Sequence, residues 1–337
     1  MKIAIHHTPG TFSDRWIEYC EKKGIEYKVV NAYDSDIISQ VSDCNVFMWH
    51  HHHADYRDKL FAKQLLFSLE EAGLRVFPNW HTCWHFDDKV GQKYLLEAIG
   101  APLVPSYVFY TKTEALNWVK KATFPKVFKL RGGAGASNVM LAQNAKEAEK
   151  LIRKAFGKGF AQFNRWGYLK ERFNKWRNGK DTLLGVCKAI GRIFIPTTFS
   201  KMFPPEKGYA YFQDFISGNN YDLRVVAIGD KILGEKRYCR KNDFRASGSG
   251  TFEYSNIPRE VLDIAFQTAD KLKLQSVAFD FIFHKGQPLI VEMSYGFGTK
   301  GLSHCPGYYS RDFKWHQTDN LDFCGWMIDN ITKSITS

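Results

Sequence analysis

The sequence predicts an α/β chain in three segments, an open parallel sheet followed by two α+β regions. Three patterns predict it: short apolar runs alternating with helical spacing over roughly the first 85 residues, a glycine-rich loop between two strands near Lys129, and a closing pair of strands that each carry one acid.

The first segment, residues 1–87, reads MKIAIHH, IEYKVVNA, NVFMWHHHH and LRVFPNW as strands, with DRWIEYCEKKG as the helix after the first. Such alternation builds a parallel sheet and puts functional groups on loops at the C-terminal strand ends. The run His50 to His53 falls at one such end, and Trp80, His81, Trp84 and His85 fall at another. Aromatic faces suit sugar rings and partly protonated imidazoles pair with carboxylates, so His51, His52, Trp80 and His81 are candidates for an acceptor site. An adventitious surface run or a transition-metal site is the alternative.

The second segment, 88–205, opens on DDKVGQKYLLEAIGAP. It starts in acids, ends in Gly and Pro, and sets Tyr94, Leu95, Leu96 and Ile99 as the apolar face of a helix. FPKVFKLRGGAGASNVMLA then reads strand, loop, strand, and KEAEKLIRKAF a helix. Three Gly and two Ala in the loop after Lys129 let backbone N–H groups approach phosphate oxygens closely. The order of a Walker loop or a dinucleotide fingerprint is absent, and a plain hairpin turn fits the loop as well. Residues 150–192 carry twelve Lys or Arg against Glu171 and Asp181 alone, which accounts for most of the formal charge of +12. A local field of that sign favours an anionic partner. With Phe, Tyr and Trp interleaved, FGKGFAQFNRWGYLKERFNKWRNGK fits peripheral docking on an anionic membrane, or a solvated helical face over an aromatic core. No recognition motif accompanies it, so no specific nucleic acid is expected.

The third segment, 206–337, begins with YFQDFISG, an acid between an apolar strand and a turn, where backbone groups can pair with an adenine edge or simply end a strand. YDLRVVAIGDKILGEKRYCRKNDFRASGSG follows, placing Asp222, Arg224, Arg237, Arg240 and Arg245 on two strands and the loop after them. Such cations stabilise phosphate charge, and the Ser249-Gly250 amides can serve an oxyanion. SVAFDFIF and PLIVEMS close the segment, and taking HKGQP as a hairpin loop centred on Gly286 sets Asp280 opposite Glu292, with Cβ atoms about 5 Å apart. Two carboxylates that close repel unless a cation lies between them, and with phosphate oxygens they make the hard shell that Mg2+ prefers. Two solvated acids on an exposed hairpin are the alternative.

Hydrophobic residues make up 44% of the chain, which excludes a disordered protein. No run approaches the ~20 apolar residues of a membrane span, and MKIAIHHTPGTF lacks the basic-then-apolar order of a secretory signal, so a cytoplasmic location is expected. The seven Cys are scattered and show no C-x-x-C pair, which points to reduced thiols.

Taken in order, DDKVGQKYLLEAIGAP, FPKVFKLRGGAGASNV, YFQDFISG, YDLR, KNDFRASGSG, VAFDFIF and LIVEMS resemble ATP-grasp ligases, most closely the branch of the ribosomal-protein glutamate ligases, over residues 87–298. The resemblance implies an ATP-grasp fold with an N-terminal open parallel-sheet domain, a central lid subdomain and a C-terminal α+β domain, and ATP and Mg2+ between the last two. It implies that Lys89 and Lys129 contact the ATP phosphates and that the loop with Gly133, Gly135, Ala136 and Ser137 closes over them. Gln213, Asp214, Phe215 and Ile216 would lie beside adenine, Asp222 would meet the ribose, and Arg245 would reach the phosphates. Asp280 and Glu292 would bind magnesium. Where that family usually has Asn, this chain has Ser294, which can still ligate through its hydroxyl or through water.

The implied reaction runs through an acyl phosphate that an amine attacks, with Arg237 and the Ser249-Gly250 amides holding the oxyanion. The whole chain, including WHHHHAD, PNWHTCWHFDDK, EMSYGF and CPGYYSRDFKWH, is similar to a narrower set of ATP-grasp proteins of bacterial capsule and O-antigen synthesis. That resemblance implies an acidic small-molecule or sugar-acid acceptor and an amine as partners. A peptide or protein glutamate ligase, or an ATP-binding regulator without ligase activity, are the competing expectations.

Overall fold

The computed structural model describes residues 1–133, 138–161, 168–169, 172–173, 176–177, 179, 182–194, 202–239, 245–246, 250–254 and 257–333. The chain divides into two compact units, Met1–Leu103 with Ile216–Ser337, and Val104–Phe215. The sequence-based limits at 87 and 205 therefore shift, because pairing decides membership: 88–103 join the first unit and 206–215 the second.

In the first unit, strands β1 (Lys2–His6), β2 (Glu26–Val30), β3 (Val46–Trp49) and β4 (Arg75–Phe77) form a parallel sheet in the order β2-β1-β3-β4. Helices α1 (Phe12–Lys23), α2 (Ile37–Gln40) and α3 (Tyr56–Glu71) are the crossovers, and α4 (Trp80–Cys83) and α5 (Lys89–Ala98) follow. Local chemistry sets the ends of these helices. Thr11 caps α1 by accepting from Ser13 N, Gly24 ends it at φ 64°, and Asp88 caps α5 by accepting from Gly91 N. The order reverses beside β1, so the C-terminal ends of β1 and β3 flank the switch point where an open parallel sheet has its crevice. On α5 the buried side chains are Gln92, Lys93 and Leu96, whereas Tyr94, expected on the apolar face, is exposed.

The second unit holds an antiparallel sheet, β5-β8-β6-β7, of β5 (Ser106–Phe109), β6 (Lys126–Lys129), β7 (Val139–Ala142) and β8 (Ala210–Asp214). Helices α6 (Lys112–Val119) and α7 (Ala145–Ala155) pack on it around Phe128, Ile152 and Phe212, and α8 (Leu183–Phe194) follows α7 in the chain.

The remainder of the first unit is a seven-stranded antiparallel sheet of β9 (Tyr221–Ile228), β10 (Lys231–Tyr238), β11 (Phe252–Glu253), β12 (Ser276–His284), β13 (Gln287–Ser294), β14 (Gly307–Ser310) and β15 (Trp315–Gln317). Its order is β13-β12-β9-β10-β14-β15, with β11 also on β10. Helices α9 (Arg259–Lys271), α10 (Thr299–Leu302) and α11 (Phe323–Lys333) complete the unit. Period-2 alternation splits the sheet. Leu223, Val225, Ala227, Val277 and Phe279 pack with α9 in one core, while Val226, Ile228, Leu233 and Ala278 join the core that includes the parallel sheet. Among the described residues no helix is long and apolar enough to cross a membrane, and all seven cysteines are free thiols.

Candidate functional site

On the second of these faces the alternation also sets charges. Glu292 of β13 lies opposite Asp280 of β12, Asp280 opposite Arg224 of β9, and Arg224 opposite Glu235 of β10. Two residues along the same two strands, Asp222 lies opposite Arg237. Four adjacent strands thus present one charged row. The expected facing of Asp280 and Glu292 is present, but the turn differs from the five-residue loop. Lys285 and Gly286, at φ 51° and 83°, make a two-residue turn, which sets Phe281 opposite Ile290. One extra residue, Val291, then shifts the register so that Glu292 meets Asp280.

Asp280 is buried and accepts three guanidinium hydrogen bonds. Arg224 Nε reaches Oδ1 at 2.8 Å and its Nη2 reaches Oδ2 at 2.9 Å, while Arg237 Nη2 reaches Oδ2 at 2.8 Å. Arg237 also donates to both oxygens of Asp222 at 2.6 Å. Burial alone would raise the Asp280 carboxyl, but the guanidiniums of Arg224 and Arg237 override it and hold that carboxyl well below the usual carboxylate range. The acids with less help go the other way: burial raises Asp222 to about 6 and Glu235 to about 7, against the pull of the same arginines.

Lys89, in the first turn of α5, stands 3.8 Å from Glu292 Oε2. The helix is pinned there because Gln92 accepts from Met293 N and donates to His85 O. Ser294 lies on the same face as Glu292 and donates its hydroxyl to Gly296 O, which leaves its oxygen able to accept or ligate. Among the described residues no group of three or more His, Cys, Asp or Glu side chains could hold a metal ion. An acid pair already served by cations, without a full protein cage, suits a hard divalent ion that takes its remaining ligands from phosphate and water.

The histidine run begins where β3 ends and is fixed by its surroundings. Asp58 in the first turn of α3 accepts from His52 N and Tyr33 Oη, and Tyr295 donates to His51 O. Phe12 N donates to His50 Nδ1, so a neutral His50 carries its proton on Nε2, and among the described residues that atom has no partner. His51 Nε2 and both nitrogens of His85 are likewise buried with no hydrogen-bond partner among the described residues. Burial pushes His50 down to about 3, His53 and His85 to about 4, and His51 well below its ordinary value, and it lowers His52 as well. Burial thus works against the partly protonated imidazoles expected to pair with a carboxylate, most in the buried His50, His51 and His85 and less in the half-buried His52, which Asp87 and Asp55 pull the other way. Trp80 and His81 do not join them. Both are exposed on α4, with Trp80 against Phe67 and Trp84.

In the second unit Lys129 is buried and donates to Gln213 Oε1 at 2.6 Å, and Lys126 bonds Asp214 Oδ1 at 2.6 Å. The register produces both, since β8 lies between β5 and β6 with Lys126 opposite Asp214. The glycine-rich loop joins β6 to β7, and Leu130 N donates to Asn138 O across its base. Gly133 has φ 107° and lies against the Asn138 amide. Gly135, Ala136 and Ser137 lie outside the described residues, as do Arg240, Ser249 and most of the basic stretch within 162–181. Arg245 is half-buried in coil after β10, and Gly250 has φ 74°. Sequence reading missed Glu235, Lys126 and Tyr295. For Glu235 the signal was there, since alternation on KILGEKRY puts it on the face of Arg237.

Residues 205–308 match the family model described as RimK-like ATP-grasp domain. Over those residues the chain is similar to an ATP-grasp domain. The ATP-grasp protein of the RimK domain type from Sphaerobacter thermophilus superposes with a TM-score of 0.60 at 14% identity, covering 98% of this chain and 99% of that one. D-alanine–D-alanine ligase from Bacillus anthracis, complexed with ATP, gives 0.58 at 12% identity, covering 100% and 98%. A stretch of 96 residues is 27% identical to phosphoribosylamine–glycine ligase of Fusobacterium nucleatum subsp. nucleatum, 28% of this chain and 22% of that relative. The shared ATP-grasp fold, with its parallel N-terminal sheet and antiparallel sheets beyond, runs through both units.

Proposed function

We propose that this protein is an ADP-forming, ATP-dependent carboxylate–amine ligase whose acceptor is an acidic sugar or related small acid, serving cell-surface polysaccharide synthesis. The observation that carries it is the cross-strand row in which Glu292 and Asp280 face each other beside Arg224, within a stretch that matches the RimK-like ATP-grasp domain.

In this reading Asp280 and Glu292, with Ser294, hold magnesium, which when bound draws charge off phosphate oxygens. Lys89 and Lys129 neutralise phosphates, as does Arg245, and the loop from Gly132 lays its amides on them. Gln213 to Ile216 take the adenine edge. Asp222, set against a ribose by resemblance, clamps Arg237 in the resting protein. Arg224 and Arg237 orient the acids and offset the charge that develops as a substrate carboxylate attacks the γ-phosphorus in line, giving an acyl phosphate and ADP. An amine then attacks the acyl carbon, its oxyanion is held by the Ser249-Gly250 amides, and phosphate leaves. The crevice between β1 and β3 is the proposed acceptor site. Its neutral histidines suit the hydroxyls of a sugar, through hydrogen bonds in place of charge pairing.

The test is ADP release with ATP and magnesium across a panel of uronic acids, peptides and amines, with 18O in the carboxylate. ADP release that requires both acid and amine, with 18O passing to phosphate, is the expected result, and Glu292→Ala abolishes it. Release of AMP, or ADP release indifferent to the acid, overturns the reading, and activity confined to peptides moves it to a peptide ligase.

Peripheral contact with an anionic membrane is a second element of the proposal. It is supported by the basic stretch and by exposed Leu183, Leu184 and Ile190 on α8. Co-sedimentation with anionic vesicles, lost at high salt, is expected; no sedimentation removes the membrane from the scheme.

A further inference from the structure

Glu235 has no task in the ligase reading, yet it stands in the same row as the acids that do. It is 3% exposed, and among the described residues its Oε2 has no hydrogen-bond partner. The fold makes room for it at close quarters. A Cβ on Gly301 of α10 would lie 2.0 Å from Glu235 Oε2, and Tyr254 holds that segment by donating to Gly301 O. A buried carboxyl with an open oxygen is costly unless some state of the molecule brings it a cation.

A cation is within reach. Arg224 stands directly opposite Asp280 on one neighbouring strand and directly opposite Glu235 on the other, and it now gives Nε and Nη2 to Asp280. Directly opposed side chains in an antiparallel pair have Cβ atoms about 5 Å apart, so either acid is accessible to the long guanidinium arm by rotation of the side chain alone.

We propose that Glu235 is a positioning residue that receives Arg224 when a divalent cation occupies the Asp280–Glu292 pair. The inference rests on the ligase reading. Asp280 already accepts three hydrogen bonds from guanidiniums, and a carboxylate offers roughly four lone-pair sites. A metal ion there competes for those sites and repels the guanidiniums as well. Arg237 keeps Asp222, which it holds through both oxygens. Among the described residues the acid opposite Arg224 on its other side is Glu235, and the exchange carries its charge one strand further from the metal while satisfying a carboxyl that otherwise stays open. Glu235 therefore lets the acid pair change cations without leaving a buried charge unmatched.

The test is the affinity for magnesium with a non-hydrolysable ATP analogue, measured by calorimetry on the unaltered protein, Glu235→Gln, Arg224→Ala and the double variant. Coupling through Arg224 predicts that Glu235→Gln weakens magnesium binding roughly 10-fold when Arg224 is present and less than about 2-fold when it is not. A structure of the unaltered protein with both ligands gives a readout that needs no variant: the Arg224 guanidinium should lie within hydrogen-bond distance of Glu235. Equal weakening in both backgrounds, which a simple through-space loss of negative charge would give, overturns the inference. So does Arg224 still bonded through both nitrogens to Asp280 with the metal in place. If the unaltered protein binds no magnesium nucleotide, the ligase reading falls, and this inference with it.

Discussion

Asp280 in the charged row of the antiparallel sheet and His51 in the histidine run at the end of the parallel sheet are both buried, yet burial produces opposite chemistry in them. Asp280 is dry but accepts from two guanidiniums, and it stays ionised. His51 and His85 are buried, and among the described residues His51 Nε2 and both His85 nitrogens have no hydrogen-bond partner, so burial pushes both rings toward the neutral form. Desolvation disfavours the charged form in both places, and what differs is whether the strand register delivers a counter-charge. A row fixed by cross-strand pairing can be ionic at low solvent exposure. A loop run after a single strand cannot, and its rings suit hydrogen bonding to neutral groups.

The comparison breaks most sharply at Asp280. Asp280→Asn keeps the shape but leaves Arg224 and Arg237 facing a neutral amide, and losing one partner of a buried ion pair costs about 3–5 kcal/mol. Urea denaturation at neutral pH is expected to show a loss of that order. A loss below about 1 kcal/mol would mean that the guanidiniums re-pair with Asp222 and Glu235 at little cost, and that the row is not held by Asp280.

Much of this was legible in the residues. Four short runs rich in apolar residues and separated by helical spacing correspond to the four strands of the parallel sheet, although the second also carries Glu26 and Lys28. The facing of Asp280 and Glu292 was legible although the turn was not, because a shorter turn and the extra residue Val291 shift the register by one residue each and cancel. A bulge leaves no mark in hydropathy. The segment around β8 was assigned to the wrong side of a boundary because the strand reads the same whichever sheet it enters, and only its pairing with Ser106–Phe109 and Lys126–Lys129 places it. The state of the histidines was out of reach for a similar reason. Consecutive His residues look exposed and ionisable as a string, and their protonation is decided by Phe86 and Tyr295, which arrive from elsewhere in the chain. Glu235 is legible by contrast, since alternation on KILGEKRY sets it on the face of Arg237.

A smaller effect sharpens the contrast, because the two regions titrate over one pH window with opposite sign. His85 falls from 6.5 unfolded to about 4 folded, so between those values the unfolded chain binds the extra proton and stability rises with pH. Glu235 rises from 4.5 to about 7, so over nearly the same window the folded protein binds the extra proton and stability falls with pH. Asp280 adds no slope there, since its depressed carboxyl contributes stability above the unfolded value near ~3.9 and loses it only as pH falls below the usual carboxylate range. At 1.36 kcal/mol per unit, each of the two groups changes stability by about 3 kcal/mol across its window. His85→Phe replaces partnerless nitrogens with an apolar ring and should remove the rising contribution, making the protein relatively more stable at pH 5 than at pH 7. Glu235→Gln should do the reverse. Urea midpoints measured from pH 7 to pH 4.5 in the two variants read this directly. If both variants shift the slope in the same direction, desolvation does not govern the two regions as the paired and unpaired burial of their groups requires.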